Sequence, residues 1–146
     1  MIDPVKQIIV VRKDLITDEK NPMTPGKLAA QVAHASLAPI LEKAYGEPFS
    51  NRKFDKKSYT LELKLEEGSP IKEWLEKDFR KIVLYVKSEK KLMDVYDSIK
   101  QAGFNVSLIT DKGLTIFKEP TVTCFGVEPL PHSVINPFVK KLQLLK

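Results

Sequence analysis

An apolar run, a polar loop and a capped helix start constrain this chain more than any other feature. Gln7-Ile8-Ile9-Val10-Val11 has the length and content of a buried strand. Residues 13–23 are polar, with turn formers at Asp18, Asn21 and Pro22. Thr24 stands where an N-cap belongs. Pro25 follows at the first helical position, where a missing N–H goes unpaired in any case. The helix is expected to run to about Tyr45, with Pro39 kinking or dividing it. Strand, loop and helix make a βα unit, and in such units ligands collect at the carboxyl end of the strand.

The rest of the chain continues the alternation. Residues 46–57 form a polar, basic loop carrying Phe49 and Phe54. In residues 59–66, Leu61, Leu63 and Leu65 alternate with charges, the period of a half-buried strand, while the Leu, Glu and Lys content leaves a helix as the alternative. A short helix capped by Ser69 is expected next, with Trp74 and Leu75 turned inward. Residues 81–87 are a second apolar strand. Ser88 caps a helix to about Ala102, whose inward positions are Leu92, Val95, Tyr96 and Ile99. Residues 105–109 and 121–127 are further strands. Alternation in the latter places Thr121, Thr123 and Phe125 on one face, and Val122 and Cys124 on the other. A last helix begins near Ser133 and is interrupted at Pro137. The order predicts a single-domain α/β sandwich over residues 1–146, with a mixed, mostly four-stranded sheet and helices on both faces.

Composition narrows the function classes. No apolar run approaches the length of a membrane span, and the N-terminus lacks a secretory leader pattern. The single cysteine, Cys124, lies in an apolar strand and is read as a small core residue in a reducing, cytoplasmic setting. With two histidines and no zinc-type spacing, no metal and no cofactor is expected. Net charge is +5, which favours a polyanionic partner such as RNA, although bases and acids are interleaved along the chain.

On the first helix Lys27, Gln31 and His34 are spaced i, i+4, i+7, within an arc of roughly 60°. Leu28, Val32 and Ala35 form the apolar stripe beside them. A lysine in the first turn opposes the helix dipole, and such a local conflict is a hint of a site, although from this helix alone the solvated polar face of an ordinary amphipathic helix accounts for the pattern slightly better. Gly26-Lys27 is not a phosphate loop, because Asn21 replaces the earlier glycine and Leu28 stands where Ser or Thr would hold magnesium. Asp111 follows the third strand in an Asp-Lys-Gly turn, which is also ordinary turn chemistry. Thr115 and Thr123 carry hydroxyls able to orient water or a carbonyl, but threonine is equally a common strand residue.

Taken together, these residues resemble the archaeal and eukaryotic-type peptidyl-tRNA hydrolases, the second of two unrelated families with that activity. The likeness rests on Val10-Val11-Arg12-Lys13-Asp14-Leu15 and on the run from Gly26 to Ala35, Gly-Lys-Leu-Ala-Ala-Gln-Val-Ala-His-Ala. It resumes at Lys81-Ile82-Val83-Leu84, Ala102-Gly103, the segment 107–115 and Glu119-Pro120-Thr121-Val122-Thr123. The resemblance implies metal-independent hydrolysis of the ester joining a peptide to the 3′ ribose of tRNA, with tRNA as partner and a homodimer as the assembly. It places catalytic roles on Lys27, Asp111, Thr123, Thr115 and His34, and substrate contacts on Gln31, Gly26 and Thr121. Two features differ from the family pattern. The usual Met-Gly-Lys-Gly-Lys is here Met23-Thr24-Pro25-Gly26-Lys27, and the segment 46–79 is longer than usual. The alternatives are a non-catalytic RNA- or protein-binding module on the same fold, and a hydrolase of a different ester or amide.

Overall fold

The structure, a computed structural model, describes residues 3–114 and 116–146. Strand β1 (Val5–Arg12) is central because its side chains serve both faces of the sheet. Ile8 and Val10 face one core, and Ile9 and Val11 the other; all four are buried. After α1 (Pro25–Tyr45) and α2 (Pro70–Glu76) the chain returns as β2 (Lys81–Val86), parallel to β1. It continues through α3 (Glu89–Gln101), β3 (Val106–Asp111) and β4 (Thr121–Val127). Two-residue strands β5 (Leu130–Pro131) and β6 (Gln143–Leu144) flank α4 (His132–Val139). The mixed sheet runs β3-β4-β1-β2-β6, with β5 also paired to β1. Helices cover both faces, as the alternation of elements predicts. Leu92, Val95 and Ile99 of α3 and Ile135 and Val139 of α4 fill one core; Ala35, Leu28 and Val32 of α1 fill the other.

Thr24 and Ser69 cap α1 and α2, each accepting a backbone N–H from the third residue of its helix. Pro39 does not divide α1. Its missing N–H frees the Ala35 carbonyl, and that carbonyl is turned against Gly126 of β4. The neighbouring carbonyls are also used by the sheet side: Ser36 O accepts Gln7 Nε2 at 2.8 Å and Pro39 O accepts Asn105 Nδ2 at 2.8 Å. The helix passes through its proline because tertiary partners satisfy the groups around it. Helix α4 likewise continues through Pro137.

Three further expectations are corrected. Residues 59–66 form no strand; Leu61 and Leu65 are exposed, and Leu63 is only half-buried. The alternation is present, but no neighbour supplies a ladder. The segment is tied locally instead, by the packed rings of Tyr45, Phe54 and Tyr59 and a Tyr59–Asp55 hydrogen bond. Leu75 is exposed; Ile71 and Trp74 are the buried residues of α2. In β4, Thr123 does not share a face with Phe125. Ile109 pairs with Cys124 and Thr110 with Val122, so Thr123 is an extra residue in a β-bulge. The bulge turns Thr123 to the α1 side, beside Cys124, while Val122 and Phe125 pack in the opposite core.

A Cβ built on Gly126 would lie 1.7 Å from the Ala35 carbonyl oxygen, whereas one on Gly26 meets nothing within 4 Å. Gly126→Ala should therefore destabilise the fold by at least about 1–3 kcal/mol in urea unfolding, through overpacking. Gly26→Ala should be neutral or stabilising by up to about 1 kcal/mol, because it removes backbone entropy from the unfolded chain.

Candidate active site

Two elements deliver the charged residues. Lys27 lies in the first turn of α1, and Asp111 is the last residue of β3. Their side chains meet in an ion pair, Nζ against Oδ2, with side-chain exposures of 17% for Lys27 and 9% for Asp111. That shielding separates it from an ordinary surface pair, which water and salt reduce to little. Removing two charges from water is costly unless further hydrogen bonds serve them. Gln31, one helical turn beyond Lys27, donates Nε2 to the same carboxylate oxygen at 3.2 Å. The Gly113 N–H donates to the other oxygen at 2.9 Å. Gly113 has φ +80°, and a Cβ there would lie 2.5 Å from the Glu119 backbone, so glycine is required for this turn.

Gln31 extends the set inward. Its Oε1 accepts the Thr123 hydroxyl at 2.6 Å, and its backbone carbonyl accepts the Cys124 thiol at 3.4 Å. Lys27, Asp111, Gln31 and Thr123 thus form one connected group. Thr121 pairs with Asp111 in the ladder, but its hydroxyl donates to Glu119 O at 2.9 Å. Gly26 lies beside Lys27 in the open first turn of the helix. His34 is exposed on the adjoining groove wall, and its side chain makes no hydrogen bond to a described residue. Thr115 lies outside the described residues.

Burial alone pushes the Asp111 carboxyl up. The Lys27 ammonium, the Gly113 N–H and the Gln31 amide outweigh that effect and hold it below the ordinary carboxylate value. Asp111 is therefore anionic at neutral pH, an acceptor facing a cation. Burial pushes the Cys124 thiol up to about 12, so it is an inert core residue, as its apolar strand predicts. Among the described residues no group of three or more His, Cys, Asp or Glu stands in metal-binding array.

Three contributors escaped the sequence reading. The Gly113 N–H is one, and the Asp-x-Gly spacing was its signal. The Phe117 ring, 6.0 Å from Lys27 Nζ, is another. The third is Arg12, which donates Nη1 to the Val122 carbonyl at 2.9 Å while paired bidentately with Asp14. Arg12 is a positioning residue: it holds the backbone next to the bulge that presents Thr123.

The class is an α/β sandwich with a shielded lysine–aspartate pair at the carboxyl end of its sheet, the place where ligands collect in folds of this kind. The family model for Peptidyl-tRNA hydrolase PTH2 matches residues 5–145. The peptidyl-tRNA hydrolase of Methanopyrus kandleri is 35% identical over 141 residues, covering 97% of this chain and 98% of that protein. That of Sulfolobus acidocaldarius is 33% identical over 141 residues, covering 97% and 100%. The chain belongs to the archaeal and eukaryotic-type peptidyl-tRNA hydrolase family.

Thr123→Val leaves Gln31 Oε1 without its donor and should cost about 1–3 kcal/mol in urea unfolding. Thr121→Val, which loses only an exposed bond, should stay within about 0.5 kcal/mol. The pH dependence follows from the depressed carboxyl. Asp111 contributes its full stabilisation above its unfolded value of about 4 and loses it as pH falls through the lower folded value. The stability difference between the parent and Asp111→Asn should therefore be largest at neutral pH and shrink toward about pH 2.

Proposed function

We propose that this protein cleaves the ester between a peptide, or an N-blocked amino acid, and the 3′ ribose of tRNA, recycling tRNA in the cytoplasm. The observation that carries the reading is the Lys27–Asp111 pair at the sheet's carboxyl end, in a chain of this family. A water oxygen adds to the ester carbonyl carbon, and its proton passes to Asp111 as the bond forms. The carbonyl oxygen takes up the negative charge beside the Lys27 ammonium. Collapse breaks the bond to the 3′ oxygen, which takes the proton back from Asp111. The products are a peptide with a free carboxyl group and tRNA with a free 3′ hydroxyl.

Thr115 aligns the water or the carbonyl, Thr123, fully buried, contributes to that alignment through its bond to Gln31, and His34 orients substrate at the rim. Gln31, almost fully buried, acts through its bonds to Asp111 and Thr123. Gly26 and Thr121 border the tRNA end, and the exposed Lys112 follows Asp111, the ladder partner of Thr121. The net charge of +5 suits a polyanionic substrate. The unpaired, buried Cys124 suits a reducing compartment.

Release of N-acetyl-aminoacid from N-acetyl-aminoacyl-tRNA by the purified protein tests this reading. Asp111→Asn should lower kcat by about 10²–10⁴-fold, as for loss of a general base. Lys27→Ala should lower it by about 10²–10³-fold, as for loss of an oxyanion donor. Circular dichroism of both variants should match the parent. The parent's kcat/KM should fall steeply with added salt, through release of counterions from the tRNA. A parent protein that releases no acetylated amino acid would sink the reading.

A further inference from the structure

One edge of the sheet is long and unpaired. Among the described residues the six-residue β3 pairs only with β4, whereas the opposite edge is the two-residue β6 on β2. A groove of about 1340 Å³ follows that open edge, lined by every residue from 104 to 112, and its near end is formed by Asp111, Gln31 and His34. It exceeds the roughly 300–1,000 Å³ of a small-molecule pocket. The six residues of β3 span about 20 Å, the length of an extended peptide of similar size. His34, Leu37 and Leu41, spaced along one face of α1, make one wall, and Tyr96 of α3 stands on the other. Leu37 is 55% exposed, a large apolar side chain without cover.

We propose that this groove is the subsite for the peptide part of the substrate, which adds to the open edge of β3 as an extra strand with its ester at Asp111. The inference rests on the hydrolase reading above and deepens it. An enzyme that must accept any peptide cannot rely on side-chain pockets, and a sheet edge reads only main-chain N–H and C=O groups. The apolar walls add grip without sequence preference. Three of the four lysines and arginines lining the groove are engaged with the protein itself, and the exposed fourth, Lys112, stands at the Asp111 end where the ester and the tRNA end would meet, which disfavours RNA along the rest of the groove. Lys43 pairs with Glu128 at 2.9 Å, the Arg52 guanidinium stacks over Phe49 at 4.3 Å, and Lys100 lies 5.6 Å from the Tyr96 ring. Phe49 and Arg52 also give the start of the long 46–79 segment a place, as the far end of the groove.

Two measurements on the intact protein test the assignment. The first compares N-acetyl-aminoacyl-tRNA with the same tRNA carrying an N-acetylated tetrapeptide that ends in the same amino acid. kcat/KM should rise at least tenfold with the longer chain, chiefly through KM. The gain should vanish when alternate amides of the peptide are N-methylated, because strand pairing uses alternate residues. Leu37→Arg should reduce the gain from length. Cleavage of both substrates at equal efficiency would overturn the groove assignment and leave the hydrolase reading standing.

The second measurement does not depend on turnover. A tetrapeptide joined through an amide to 3′-amino-adenosine should slow hydrogen exchange at alternate amides of residues 106–111. Unchanged exchange would overturn the assignment even in a protein that cleaves nothing. Equal protection by bare tRNA would place RNA in the groove. Protection that grows with protein concentration alone would place a second copy there. Either result overturns the peptide assignment.

Discussion

The close approach of α1 to β4 underlies everything else in this molecule. Gly126 lets the Ala35 carbonyl sit where any side chain would stand, and Pro39 removes the N–H that would otherwise have claimed that carbonyl. A residue that usually breaks a helix and one that usually weakens a strand are here two halves of one contact. Gln7 and Asn105 reach the carbonyls of Ser36 and Pro39 that follow it along the helix. The helix is thereby locked in rotation as well as in distance. That rotation decides which of its residues face the end of β3.

On this scaffold the polar group at the site is assembled in order of burial. Thr123, fully buried, fixes Gln31; Gln31 fixes one oxygen of Asp111; the Gly113 turn fixes the other; Lys27 closes the set at the surface. Each member satisfies a neighbour that would be costly to bury alone, and no described buried side-chain polar atom is left without a partner. The arrangement keeps a carboxylate charged in a shielded place, where its interactions are stronger than in water. Its basicity is lower than that of a free carboxylate, so in the proposed reaction alignment of the water would have to supply what proton affinity does not.

Much of this was legible in the sequence because it rests on local rules. The strand at residues 7–11, the caps at Thr24, Ser69 and Ser88, and the inward positions of α3 follow from period and capping chemistry. The Lys27–Gln31–His34 face was visible from helical spacing alone. Other features depend on tertiary partners. Alternating leucines at residues 61–65 signal a pleated segment, but the signal cannot say whether a neighbouring strand exists to pair with it. Pro39 lowers the expectation of helix, and only the sheet side shows how its carbonyls are served. The bulge at Thr123 is the sharpest case. One inserted residue reverses the side-chain parity of everything beyond it, so alternation counted from Phe125 puts Thr123 on the wrong face. The family resemblance picked out Thr123 without saying how it is turned inward.

The separation of these residues along the chain also sets when the site can exist. Gln31 reaches partners 80 and 92 residues away, and Ala35 waits for Gly126. During synthesis, α1 is complete long before β3 and β4 have left the ribosome. The long loops must close before their contacts can repay the entropy. A half-made chain therefore holds the lysine and not the aspartate, and has neither ion pair nor bulge. The connected polar group can form only once β4 has left the ribosome.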